Sequence, residues 1–413
     1  MNLKFLNLLS GYPRQFKLMF WGMLISTIGS SMIWPFLMIY IKGRVNLPLS
    51  VVTSLTAINA TSGLISALLA GPITDRLGRK WVLVFSLVGN GLVYLFMSQA
   101  STLSEFSVLM AFSGIFNPVY RVSSDAMVAD LIPPEKRPDA YALLRLSNNA
   151  GISIGPSLGG LLTVISYSVA FFLAATGMII YGLLLALLAI ETLPKNTITQ
   201  TLPQTFRGYL QVLRDRPFLA FIATFILVQM TSVFMWVLLP VYAHDHYNIL
   251  ENRYSLIPTT NALMVVVLQV LVTSRTRKYP PLKVMALGSF LFAIGVGSVA
   301  LGNSLYAFWI SMIIMTCGEL ILMPTASTFV AHLAPSEMRG RYMSISGLTW
   351  NVSYGLAPIM GGFLSDTIAP RAIWAGGLAT GLAAYLGYFI LAKRKQSADL
   401  AQQIINAEIH QVM

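Results

Sequence analysis

The sequence predicts an all-α integral membrane protein, with 12 transmembrane helices arranged as two six-helix repeats around a central cavity. Three observations predict it. Only 10% of the 413 residues are charged and 56% are hydrophobic. A soluble domain carries about 25% charge, so lipid must be the solvent. Long apolar runs recur along the chain, most with no polar face. A stretch of the first half also returns in the second at a fixed offset.

A helix needs about 20 apolar residues to cross a bilayer. Twelve runs qualify: 18–41, 50–73, 81–100, 106–131, 141–164, 167–190, 218–243, 255–274, 283–302, 305–332, 341–365 and 371–392. The opening MNLKFLNLLSGYPRQFK carries no small-residue cleavage pattern, so the first span is expected to be retained. With the N-terminus in the cytoplasm, cytoplasmic segments hold 22 Lys and Arg and outside segments four: Lys42, Arg44, Arg253 and Arg371. That asymmetry satisfies the positive-inside rule and places both termini in the cytoplasm. The net charge of +12 is spread over short loops, which excludes a nucleic-acid surface. The single cysteine, Cys317, excludes a disulfide framework and a cysteine metal site.

Residues 127–162 align without gaps to 329–364, with 12 of 36 positions identical at an offset of 202. Pro133/Pro335, Arg137/Arg339, Asn149/Asn351, Pro156/Pro358 and Gly159-Gly160/Gly361-Gly362 are among the matches. Two parallel repeats enclosing a midplane site are expected. The expected units are 1–190, a six-helix half; 191–217, a basic cytoplasmic linker; 218–392, the second half; and 393–413, a cytoplasmic tail.

Between spans 2 and 3 stands GPITDRLGRK, Gly71 to Lys80. Charge and glycine so dense between two spans form a tight turn at a membrane surface. The stretch resembles the signature loop of the major facilitator superfamily, G-x-x-x-D-R-x-G-R-K/R, at Gly71, Asp75, Arg76, Gly78, Arg79 and Lys80. The resemblance implies that Asp75 meets the N-terminal end of span 11, where the helix dipole is positive, and that Arg79 pairs with Asp130. Together these would latch the halves in one state. The loop between spans 8 and 9, TSRTRKYPPLKV, lacks a counterpart of Asp75.

Span 5 carries Gly151, Gly155, Pro156, Gly159 and Gly160. Small residues let helices approach and proline bends them. The pattern resembles the antiporter motif of the 12-span drug:proton antiporter branch, of multidrug efflux type, although Ala142 stands where its first glycine would be. In span 4, Arg121 matches the arginine of R-x-x-q-G, while Ser124 and Asp125 replace the glutamine and glycine. A membrane arginine is costly, so Arg121 is expected to face the cavity and pair with an acid, Asp125 or Glu319. Glu319 sits mid-span among apolar residues, where a carboxyl is suited to exchange a proton. Proton coupling is assigned to Glu319, Asp125 and Arg121, with a merely hydrogen-bonded Glu319 as the alternative.

In this superfamily spans 1, 4, 7 and 10 surround the centre, with 2, 5, 8 and 11 beside them. The substrate cavity is therefore expected to hold Trp34, Asn117, Tyr120, Gln229, Met230, Trp236, Asn261, Trp350, Asn351 and Tyr354. Aromatics and methionines with few charges suit bulky lipophilic solutes, cations among them. His332, opposite Asp130 in the repeat, is expected to be structural, and His244 and His246 form at most a weak metal signal. No G-x-x-x-x-G-K-[ST] loop occurs, which disfavours an ATP-driven pump. The expected activity is not enzymatic: a proton-coupled antiporter exporting lipophilic or amphipathic compounds by alternating access. Its expected partners are a small-molecule substrate, protons and the lipid bilayer, with no cofactor and no nucleic acid. A monomer in a prokaryotic inner membrane is expected. The alternatives are a transporter of one defined solute by antiport or symport, or a membrane sensor on the same fold.

Overall fold

The computed structural model describes residues 9–193, 209–335 and 338–412, with side chains described up to 394 and at 396. Most of the expected linker, 194–208, lies outside the described residues. The described residues contain no strand.

Among the described residues twelve long helices follow one another: α1 Arg14–Val45, α2 Leu49–Leu77, α3 Arg79–Met97, α4 Leu103–Leu131, α5 Arg137–Ile165, α6 Tyr167–Leu188, α7 Arg216–Tyr247, α8 Glu251–Thr276, α9 Pro281–Leu301, α10 Leu305–Leu333, α11 Arg339–Thr367 and α12 Ala372–Val412. Nine of them are long and apolar enough to cross a membrane. The other three, α4, α5 and α11, carry the charge and polarity: Arg121, Asp125 and Asp130; Arg137, Asp139 and Arg145; Arg339, Arg341 and Asp366. Outward-facing side chains such as Phe85, Phe172, Leu187 and Val270 are exposed. Apolar surface on that scale suits lipid and not water.

The offset of 202 runs through the helix boundaries. Adding it to the ends of α1, α4 and α5 gives the ends of α7, α10 and α11. It also equates Trp34 with Trp236, Tyr40 with Tyr242, and Asn46 with Asn248. The two asparagines close their helices in the left-handed region, at φ 51° and 52°, a conformation asparagine tolerates. Both first helices of the halves are locally rewound. Trp34–Phe36 is a 3₁₀ turn containing Pro35, and Phe234–Leu238 is a π turn ahead of Pro240. Proline lacks the N–H that would hold the preceding turn in α register.

Helices pair within each half, and one buried apolar cluster runs through both halves. In the first, α2 lies on α4, α1 on α5 and α3 on α6; in the second, α9 lies on α10 and α12. The halves meet through α2 with α11 and α5 with α8. Apart from a hydrogen bond between Trp34 and Tyr354, the polar contacts that cross between them among the described residues gather toward the end remote from the Gly71–Lys80 turn, here called the far end. Lys42 pairs with Asp245, Ser50 N–H donates to Asp366 Oδ2 at 2.8 Å, Tyr167 donates to Glu251, and Ser157 shares a hydrogen bond with Thr259 at 2.7 Å.

Candidate functional site

A cavity of about 670 Å³ lies between α1, α2 and α4 of the first half and α11 of the second. It runs from Trp34 and Leu37 down to Tyr209 and Met343, toward the end that carries the Gly71–Lys80 turn, here called the loop end. Of the residues expected there, Trp34, Asn117, Trp350, Asn351 and Tyr354 line it, and so does Arg121. The other five do not. Tyr120 is three residues past Asn117, and it turns into the cluster of Phe16, Phe20 and Tyr181. Gln229 and Met230 are buried inside the second half. Trp236 stacks at a tilt on Trp34, centroids 6.1 Å apart, above the cavity. Asn261 is turned to α10.

Sequence reasoning missed Asn59, Tyr94, Met97, Met110 and Ser113 on the wall. Asn59 donates to Met110 O at 3.0 Å. The repeat was the signal that could have found it, because Asn59 is the 202-offset partner of Asn261. The same offset pairs Asn117 with Glu319. One position in the repeat is thus an amide in the first half and a carboxyl in the second.

Glu319 is partly buried and accepts a hydrogen bond from Asn261 Nδ2 at 2.7 Å. The same amide reaches Thr316 Oγ1 at 2.9 Å. Glu319 faces α8 and does not line the cavity. The expected ion pair of Arg121 is not formed. The ion pairs among the described residues are Lys42–Asp245, Arg79–Asp75, Arg79–Asp130 and His244–Asp245. Arg121 and Asp125 are both exposed on one helix with the cation first, the weaker order for an i,i+4 pair. No group of three or more His, Cys, Asp or Glu able to hold a metal occurs among the described residues.

The loop end is built on Arg79. Its side chain, only 7% exposed, pairs with Asp75 at 3.0 Å and with Asp130 at 3.0 Å, and donates to Thr74 O at 3.3 Å. Glu191, which sequence reasoning missed, follows α6 and accepts the N–H groups of Arg79 at 2.8 Å and Lys80 at 3.1 Å. A carboxylate there satisfies the open N–H groups at the start of α3. Gly78 makes the approach possible. Its φ of 90° suits glycine, and a Cβ there would stand 2.3 Å from Glu191 Oε2. Arg76 is exposed, and Lys80 lies 5.1 Å from the centroid of the Trp81 ring. The contact from Asp75 to α11 that the resemblance implies is not made in this arrangement.

The α5 glycines face two neighbours. A Cβ on Gly151, Gly155 or Gly159 would strike Thr27, Ser31 or Met32 of α1. On Gly160 it would strike Glu251 of α8, across the halves. The repeat reproduces this: Gly361 packs on Phe234 and Leu238 of α7, and Gly362 on Ser50 and Thr53 of α2. Pro156 and Pro358 sit inside these helices, three residues before the first glycine of each pair.

Comparisons with known proteins agree with this architecture. The family model of the Major Facilitator Superfamily matches residues 19–251 and again 227–407. The chain is 28% identical over 361 residues to a Na(+), Li(+), K(+)/H(+) antiporter of Planococcus maritimus, covering 79% of this chain and 84% of that one. It is 25% identical over 297 residues to the multidrug resistance protein MdtH of Yersinia enterocolitica, covering 72% and 73%. A crystal structure of a POT family transporter in complex with a thioalcohol-conjugated peptide superposes with TM-score 0.78 at 16% identity, covering 94% and 97%. The duplicated six-helix halves, the cavity between them and the match across the chain lead to one assignment: this is a multi-pass membrane transporter that belongs to the Major Facilitator Superfamily.

Proposed function

We propose that the chain is a proton-coupled antiporter that exports lipophilic or amphipathic compounds across a prokaryotic inner membrane by alternating access. The observation that carries this reading is the cavity. It has about 670 Å³ of space, walls from both halves, and aromatic, methionine and amide side chains with one charge. Such a wall binds an apolar body by burial and orients it with few polar groups. The charge asymmetry of the loops supports a cytoplasmic loop end. Solute enters there, while the far end is held by Lys42–Asp245, Ser50–Asp366 and Tyr167–Glu251. In the outward step Asp75 releases Arg79 and engages the start of α11, and the far-end contacts part. Glu319 takes the proton that drives the return. Asn261 keeps its partner in either protonation state, because an amide can donate to a carboxylate or accept from a carboxylic acid.

A second reading, monovalent cation/proton antiport, draws on the Glu319–Asn261–Thr316 cluster and on the name of the Planococcus maritimus relative. Oxygen ligands of that kind suit hard cations. Reconstituted vesicles with an imposed pH gradient separate the two. The export reading expects gradient-driven accumulation of a lipophilic fluorescent solute, with proton flux indifferent to Na⁺ or K⁺. Proton flux that appears only on adding Na⁺, Li⁺ or K⁺, with no solute movement, would replace it with the second.

A further inference from the structure

Arg121 is the only charged side chain lining the cavity among the described residues. No carboxylate oxygen lies within ion-pair distance of it. Asp75 and Asp130 are taken by Arg79, Asp245 by Lys42 and His244, and Asp125, one turn further on, is outside the lining. A guanidinium keeps its charge at any physiological pH. The wall therefore presents one fixed positive charge that no carboxylate on the lining pairs with; Asp125, off the lining, attracts it without forming an ion pair and is shared with Arg145. A cationic solute meets repulsion there, and an anionic solute supplies the missing partner.

The rest of the wall fits an anion with an apolar body. Asn117 is one turn from Arg121 on the same helix face, beside the space an acid group would fill. Its amide is held by Ser113 O at 3.0 Å, which fixes its orientation. Asn351, on the facing helix, makes no hydrogen bond to any described residue and keeps its N–H donors for a ligand. Trp34, Trp350, Met97 and Met110 supply polarisable apolar surface around this polar pair. We infer that this cavity selects amphipathic anions: a carboxylate, sulfonate or phosphate held by Arg121, on an aromatic or aliphatic body lodged among Trp34, Trp350 and the two methionines. The inference rests on the transport reading only in taking this cavity as the substrate site.

The test uses the full-length protein in detergent and three probes sharing one body: 2-naphthoate, 2-naphthalenemethanol and 2-naphthylmethylammonium. Calorimetric titration should find naphthoate bound at least tenfold more tightly than the ammonium, with the alcohol between. Arg121→Gln should remove the preference, and Arg121→Lys should keep most of it. Asn117→Asp retains Arg121 but adds a counter-charge at i−4, so it should also cut the preference about tenfold. The inference is overturned if the ammonium binds wild type as tightly as naphthoate, if none of the three binds, or if either neutralising variant, correctly folded, keeps the wild-type ratio. Equilibrium binding needs no gradient, so the two readings fail separately. Anion preference without pH-driven transport defeats proton-coupled export alone, and pH-driven transport without anion preference defeats this inference alone.

Discussion

Asp75 and Arg79 pair, and Arg121 and Asp125 do not, although four residues separate the members of each. The first pair crosses the Gly78 turn, which swings Arg79 back beneath α2 and wedges it between two acids. The second sits on one exposed helix face in the weaker order, where an ion pair contributes at most about 0.5 kcal/mol. Residue identity was legible in the sequence; partner choice was legible only where the resemblance supplied it, as for Arg79 with Asp130, because other partners are set by turns and neighbouring helices. Tyr120 and Glu191 teach the same thing in opposite directions. Gly78→Ala should be damaging, because its φ of 90° and ψ of 152° belong to glycine. The strain is about 1–3 kcal/mol, and Glu191 must also withdraw. Detergent melting should show a lower midpoint and vesicles a loss of transport; an unchanged midpoint would mean the turn relaxes freely. Glu319→Gln keeps shape and hydrogen bonding to Asn261 but cannot carry a proton. Gradient-driven transport should fall at least tenfold while substrate exchange without a gradient persists. Wild-type uphill rates in this variant would remove Glu319 from coupling.

At the scale of elements, the repeat was the best guide. Twelve apolar runs indicated the number and order of the helices, and the repeat, read over 127–162 and 329–364, indicated two parallel halves; in the structure the same offset of 202 also relates the ends of α1/α7, α4/α10 and α5/α11. It did not reveal the 3₁₀ and π turns at Trp34–Phe36 and Phe234–Leu238, since Pro35 and Pro240 fall at different places in the two copies. Nor did it show how the paired glycines divide their work. The first of each pair packs within its half and the second across the interface. Gly159→Ala puts a methyl 2.1 Å from Met32 O, and Gly160→Ala puts one 2.5 Å from Glu251 O. Overpacking of this kind costs about 1–3 kcal/mol. Both variants should melt lower than wild type. Gly160→Ala should in addition shift the balance between open and closed far ends, because its obstacle belongs to the other half. Gly71→Ala is the control, with nothing within 4 Å of the added carbon. A melting loss there equal to that of Gly159→Ala would contradict the packing account.

For the whole molecule, what matters is how the halves are joined: by α2 on α11, α5 on α8 and an apolar core that runs through both. The far end is closed by one ion pair and a few hydrogen bonds, each contributing about 0.5–1.5 kcal/mol, together with glycine-mediated helix contacts. At the loop end the polar contacts of Arg79 and Glu191 stay within the first half. In the proposed alternating-access cycle the molecule exchanges one closed end for the other, and Asp75 is the group proposed to change partner. Paired spin labels measure this most directly. With Cys317 replaced by serine, labels at Leu77 and Met343 report the loop end and labels at Gly43 and Arg253 the far end, all at exposed positions. Alternating access predicts two distance populations for each pair that shift in opposite senses when substrate or acid is added. Asp75→Asn should deplete the short Leu77–Met343 population. Distances that stay single and unmoved under both conditions, or that lengthen and shorten together at the two ends, would contradict the account.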